Sequence, residues 1–131
     1  MKKMLILVLI VFTFFGCAQP PTPEQVANAD YGRQISYDEA DTIVKNWFQT
    51  RLKDPQSAQY DIGSPNKGWW ANSIVFGGGK FYGYIVDVSI NAKNSYGGYT
   101  GNQAYKFVIK DGRVISASAQ DRKSGAFLPA N

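Results

Sequence analysis

The chain carries one cysteine, Cys17, and no histidine among its 131 residues. That inventory excludes Cys/His metal sites, Ser-His-Asp triads and Cys-His nucleophile pairs, each of which needs an imidazole or a second thiolate. Carboxylates remain for acid–base work, and Asp38, Glu39 and Asp41 stand close together. They fall in the first turns of a predicted helix, where they complement the positive end of its dipole, so no catalytic residue is assigned to them. Gly77-Gly78-Gly79-Lys80 is followed by Phe81 and a strand pattern rather than by Ser or Thr and a helix, so it reads as a hairpin turn and not a phosphate loop. No metal, cofactor or enzymatic activity is expected.

Residue types suited to recognition are concentrated elsewhere. From Asn91 to Gly101 the sequence runs NAKNSYGGYTG, a glycine-rich loop between two strong strand patterns. Lys93, Asn94, Tyr96 and Tyr99 form its candidate contact set: tyrosines offer rigid amphipathic area at low entropic cost, and glycine backbone offers donors to an approaching chain. The same loop also reads as architecture, with Asn94 and the glycines supplying turn geometry and the tyrosines folding back on the sheet. Trp69 and Trp70 point to opposite faces of a strand, so one of them can lie outside the core. Trp70 is the candidate platform for stacking on a sugar ring.

The elements that must position these residues follow from the pattern. Ser36-Tyr37-Asp38-Glu39 has the form of a capping box, with Ile35 before it as a staple. Tyr37, Ala40, Val44, Trp47 and Arg51, flanked by Ile43, Phe48 and Leu52, make one broad apolar face, and Pro55 sets the end of the helix. Downstream the spacing changes to period two. Strands are predicted near Ala58 to Ile62, Trp69 to Phe76, Phe81 to Ala92, Gln103 to Lys110 and Arg113 to Ala119, with Asp111-Gly112 as a type I′ hairpin. The expectation is an α+β domain over residues 35–131: one N-terminal helix packed on an antiparallel meander of about four to five strands, in two layers, with a frayed C-terminal tail.

Residues 1–16 read as a targeting segment. Lys2 and Lys3 precede an apolar run from Met4 to Phe15, too short at about 18 Å of helix to cross a bilayer core of about 30 Å. Phe14-Phe15-Gly16-Cys17 resembles the lipobox of bacterial lipoproteins, with Gly16 and Cys17 matching and Phe14 and Phe15 departing from it. The resemblance implies that Cys17 takes a diacylglycerol, that the chain is cut before it, and that the new amine takes a further acyl chain such as palmitate. Removing residues 1–16 takes away two of the 14 basic residues and none of the 10 acidic ones, leaving a net charge of +2. A nearly balanced domain of this kind is not a nucleic-acid binder. Residues 17–34 read as the acylated Cys and a Pro-rich tether, reaching roughly 50 Å if fully extended at ~3.1 Å per residue. The resemblance to lipoproteins further implies that Ala18, in place of Asp, permits sorting to the outer membrane, facing the periplasm, if the source is Gram-negative.

Leu52 to Tyr60 (LKDPQSAQY) and Asn91 to Gly101 resemble two blocks shared by small, functionally uncharacterised exported proteins and lipoproteins of bacteria. That resemblance implies export and carries no activity. The sequence therefore points to a membrane-anchored envelope lipoprotein acting as a binding module for another envelope component, an envelope protein or peptidoglycan. The alternatives are a binder of peptidoglycan glycan and an inhibitor of an exported enzyme.

Overall fold

The computed structural model describes residues 19–130, so Cys17 and the targeting segment lie outside the described residues. Two helices and six strands follow one another: α1 (Pro23–Asn28), α2 (Tyr37–Gln49), β1 (Gln59–Ile62), β2 (Asn66–Ala71), β3 (Lys80–Asn91), β4 (Gln103–Lys110), β5 (Arg113–Gln120) and β6 (Phe127–Pro129). The class is α+β, as the pattern predicts, with six strands rather than four or five.

Helix α2 starts where the Ser36 hydroxyl accepts the Glu39 N–H at 3.2 Å. The expected capping box is only half made. The Glu39 carboxylate instead holds the guanidinium of Arg33, with Arg33 Nη1 donating to Oε2 at 2.9 Å and Nη2 donating to Oε1. A bidentate charge-assisted pair is stronger than a single bond back to the cap N–H, which explains the choice. Ala40, Val44 and Phe48 are fully buried on the sheet, and Trp47 packs edge-on against Phe48 and Phe107 at 4.9 and 5.1 Å. The helix stops at Gln49, before Pro55. Arg51 and Leu52 N–H groups both turn back to the Phe48 carbonyl at 3.0 Å, and the Arg51 guanidinium lies 4.0 Å from the Trp47 ring centroid, covering the helix end. Pro55–Ser57 then form one turn of 3₁₀ helix.

The sheet is antiparallel throughout, in the order β1-β3-β4-β5-β6, with β2 also on β3. The 12-residue β3 is long enough to take both short strands on one edge: β2 against Lys80 to Ile85 and β1 against Val88 to Asn91. Its alternation places Val86, Val88 and Ile90 under α2, where they join Ile62, Phe107, Ile109 and Ala117 in the core. Asp111 and Gly112 both take positive φ, 50° and 75°, and close the β4–β5 hairpin as expected of a Asp-Gly pair.

Three expectations need correction. The strand predicted from Trp69 to Phe76 ends at Ala71, and Ile74–Phe76 form an exposed 3₁₀ turn capped by Ser73. A short apolar run looks the same in either conformation, and the three positive-φ glycines behind it favour the turn. The C-terminal tail is not frayed, since Phe127, Leu128 and Pro129 pair with Gln120, Ala119 and Ser118. Nor is the Pro-rich segment a free tether along its whole length. Thr22 and Gln25 form a reciprocal capping box that starts α1, and Tyr31 is 8% exposed, its hydroxyl donating to the Val26 carbonyl and its ring edge-on to Tyr82.

The docked segment is clipped to the β4–β5 hairpin as well. Lys110 pairs with Asp30 at 2.9 Å, and the Arg33 N–H donates to Asp111 Oδ1 at 3.0 Å. Gly32 between them has φ +73°, and a Cβ there would sit 2.7 Å from Asp111 Oδ1 and 2.8 Å from Lys110 Cγ. Only glycine fits that turn.

Candidate functional site at the β3–β4 loop

The loop between β3 and β4 is built by its own polar side chains. Asn94 Oδ1 accepts the N–H groups of Tyr96 and Gly98 at 2.9 and 3.2 Å, and its backbone bonds Gly97 and Gly98, making a closed turn around one amide. Gly97 at φ 79° and Gly101 at φ 89° take the left-handed positions the turn requires. Lys93 and Tyr99 face each other across an isolated antiparallel bridge, and the Lys93 ammonium lies 5.4 Å from the Tyr99 ring centroid.

Three outside residues hold the loop in place. Ser57 Oγ accepts the Lys93 N–H at 3.0 Å, while the Ser57 carbonyl accepts the Tyr99 hydroxyl at 3.1 Å. Asn91 Oδ1 accepts the Gly101 N–H at 3.1 Å. Arg122, from the turn after β5, donates to the carbonyls of Thr100 and Gly101 at 3.0 and 3.2 Å and to Gln103 Oε1 at 3.0 Å. The two sequence blocks, Leu52 to Tyr60 and Asn91 to Gly101, thus meet in space through Ser57.

The consequence is an unequal fate for the candidate residues. Lys93, Asn94 and Tyr99 are engaged in holding the loop, and Tyr99 is half-exposed with its hydroxyl committed. Tyr96 is 97% exposed at the tip. Its backbone is fixed by Asn94 while its side chain is free on all sides, so recognition by this loop centres on a single ring presented by a bonded frame. The anchoring roles of Ser57 and Arg122 were not legible in the sequence. Arg122 fell in the tail expected to fray, and Ser57 carries only the local mark of an Asp-Pro-x-Ser turn.

Trp70 does not serve as an open platform. Its ring lies edge-on to Phe127 at 5.6 Å, and the Lys106 ammonium sits 5.4 Å from its centroid while also pairing with Asp87. Trp70 Nε1 is buried with no hydrogen-bond partner among the described residues. Trp69, 38% exposed on the other face, is the more open of the pair. Strands β2 and β6 stand at opposite sides of the sheet, so the meeting of Trp70 with Phe127 requires strong coiling, which strand alternation alone does not reveal.

Two of the three carboxylates near the start of α2, Glu39 and Asp41, are committed to ion pairs. Glu39 binds Arg33, whose hydrogen bonds hold its carboxyl below the usual carboxylate range, and Asp41 binds Lys45 at 2.8 Å. Among the described residues no three Asp, Glu, His or Cys side chains are grouped to hold a metal ion, and no helix is long and apolar enough to cross a membrane. Compared with known proteins, the chain matches no family model, no curated protein and no solved structure.

Proposed function

We propose that this protein is a lipid-anchored module of the bacterial envelope, without enzymatic activity of its own, that binds another envelope protein through the tip of its β3–β4 loop. The observation that carries the reading is the contrast at Tyr96: an almost wholly exposed aromatic ring on a loop otherwise locked by hydrogen bonds to Ser57, Asn91 and Arg122. Ordering such a loop on binding costs little entropy because it is ordered beforehand, and a tyrosine then contributes rigid contact area with a polar tip.

The position of the loop supports the same reading. The chain enters along the first half of β3, with Tyr31 against Tyr82 and Gln25 against Lys80, whereas the loop leaves the far end at Asn91. Twelve residues at ~3.3 Å each separate the two ends by roughly 35 Å. An anchor at Cys17 holds one end, and Tyr96 is carried outward at the other.

A photo-crosslinker at position 96, in the processed protein within intact envelopes, tests the reading against a control at Gln49 on the exposed side of α2. A discrete protein adduct at position 96 alone is expected. An adduct to peptidoglycan would identify the glycan alternative, and equal labelling at both positions would remove the loop from the account.

A further inference from the structure

At the opposite end of β3, the β2–β3 hairpin carries three consecutive apolar side chains into solvent: Ile74, Val75 and Phe76 are 60%, 76% and 49% exposed. The turn is closed by Ser73, whose side chain accepts the Val75 N–H, and by Gly77, Gly78 and Gly79, all at positive φ. An Asn72 N–H bond to the Gly79 carbonyl at 3.1 Å closes its base. Clustered exposed apolar side chains on a held turn mark a surface that meets something apolar.

The course of the N-terminal segment says what that is. Tyr31 packs on Tyr82, and six residues earlier Gln25 accepts a hydrogen bond from Lys80 at 3.0 Å, so α1 runs along β3 toward this tip. The chain therefore leaves the domain at the Lys80 end of β3, the end from which the Ile74–Phe76 turn projects. From Thr22 back to Cys17 the contour is roughly 15 Å at ~3.1 Å per residue, which replaces the longer reach of an undocked tether. From Ile62 to Val86 the sequence holds Lys67 and Lys80 and no acidic residue, suiting anionic headgroups. Trp69, on β2, is 38% exposed and amphipathic, as interfacial aromatics are.

We infer that the Ile74–Phe76 tip is a lipid-contacting surface, inserting into the headgroup region of the bilayer next to the acylated Cys17. This rests on the lipid-anchor reading above. The acyl chains supply most of the affinity, and the tip fixes orientation, turning the first end of β3 to the bilayer and the Tyr96 loop away from it.

The test uses the processed full chain carrying Val75→Cys labelled with an environment-sensitive fluorophore, and separately Ser95→Cys with the same label, on vesicles of phosphatidylethanolamine and phosphatidylglycerol. Blue-shifted emission quenched by nitroxide lipids is expected at position 75 and not at position 95. Water-like, unquenched emission at position 75 overturns the inference. A blue shift that lipid nitroxides do not quench also overturns it, because the tip is then covered by a second copy or by another part of the chain.

Intact mass of the same preparation keeps the two readings separate. If Cys17 bears no acyl group, the anchor reading fails, and the label at position 75, placed in a chain that also carries Cys17→Ser so that it has no second thiol to react with, still decides whether the tip enters lipid at high vesicle concentration. In that unacylated form, Ile74→Ser with Val75→Ser and Phe76→Ser lowers vesicle partitioning about 10-fold or more if the tip contacts lipid. Unchanged partitioning in a variant with an unchanged melting temperature overturns it.

Discussion

The Tyr99 hydroxyl donates to the Ser57 carbonyl across 3.1 Å, joining residues 42 positions apart. Ser57 meets the same loop twice, since its own hydroxyl also accepts the Lys93 N–H. One short 3₁₀ turn after α2 thus holds both arms of the β3–β4 loop where Lys93 and Tyr99 face each other. Ser57→Ala removes one of these bonds and leaves the Lys93 N–H without its acceptor. The expected cost is about 1 to 2 kcal/mol in global stability, with faster hydrogen exchange at the Lys93 amide. Tyr99→Phe keeps the ring and costs about 1 kcal/mol; chemical denaturation of both variants checks the pair.

Tyr96 carries no such duty. Its side chain is 97% exposed, so Tyr96→Ala leaves stability within about 0.5 kcal/mol while abolishing the position-specific adduct or partner recovery. Recovery at the wild-type level, with the melting temperature unchanged, would separate the loop from binding.

Arg122 separates holding the loop from contacting a partner. Its guanidinium spans the Thr100 and Gly101 carbonyls and Gln103. Arg122→Ala frees those three acceptors to water, and about 1 kcal/mol of stability is expected to be lost. Partner recovery should fall through loss of loop order, seen as increased exchange from Tyr96 to Gly101. Arg122→Lys restores the charge without the fork and is expected to recover only part of the order.

Gly83 sits in the first half of β3, opposite Gly68 of β2, where a Cβ would lie 2.6 Å from the Ile109 carbonyl oxygen and 3.0 Å from Val108 Cγ1. Backbone on one side cannot yield as a flexible side chain would. Gly83→Ala is expected to destabilise the fold by about 2 to 3 kcal/mol, read from the denaturation midpoint, by forcing β3 and β4 apart.

Acid should loosen the ends of the fold before its centre. The Asp121 carboxyl is held below the usual carboxylate range, first by the Ser124 N–H and then by the Ser124 hydroxyl, with the Lys123 N–H adding to them. Asp30 is lowered by its hydrogen bond from Lys110, and Glu39 by that from Arg33. A depressed folded value means that each carboxylate stabilises the fold above the ordinary carboxylate value of about 4, and that this contribution is lost as pH falls through the folded value. The melting temperature should therefore drop on acidification below about pH 4, and Asp121→Asn should flatten part of that slope.

Alternation and turn chemistry made much of this fold legible. Strand β4 was readable to its ends because Gln103 and Lys110 bound a run rich in aromatic and β-branched residues, a central strand covered on both faces at Phe107 to Ile109, and Asp111-Gly112 stops it. Helix α2 was readable from Ser36 and its apolar stripe, except for its end, where Arg51 covers Trp47 ahead of the proline. Helix α1 was missed although Thr22-Pro23-Glu24-Gln25 contains its full capping box, because three nearby prolines suggested extended chain. Strand β6 has three residues, too few for a period to appear. In the loop, Asn94 and the glycines announced a turn, but the clamps from Ser57 and Arg122 are long-range and depend on where the sheet brings them. The parity of Trp70 was readable, whereas the coiling that carries it to Phe127 was not.

The arrangement of strands around β3 also governs how copies of this protein treat one another. An open sheet offers two rows of unpaired peptide groups on which a neighbouring chain can add a strand and begin to aggregate. Here one border is broken into β1 and β2, with Pro65 between them, and the other is divided between the first residues of β5, Arg113 to Ser116, and the three-residue β6 that covers the rest of β5 and ends at Pro129. Neither border presents a long, flat template. Molecules of this protein crowded together have little to zip along, so they can stay separate at densities where an uninterrupted sheet of the same size would polymerise.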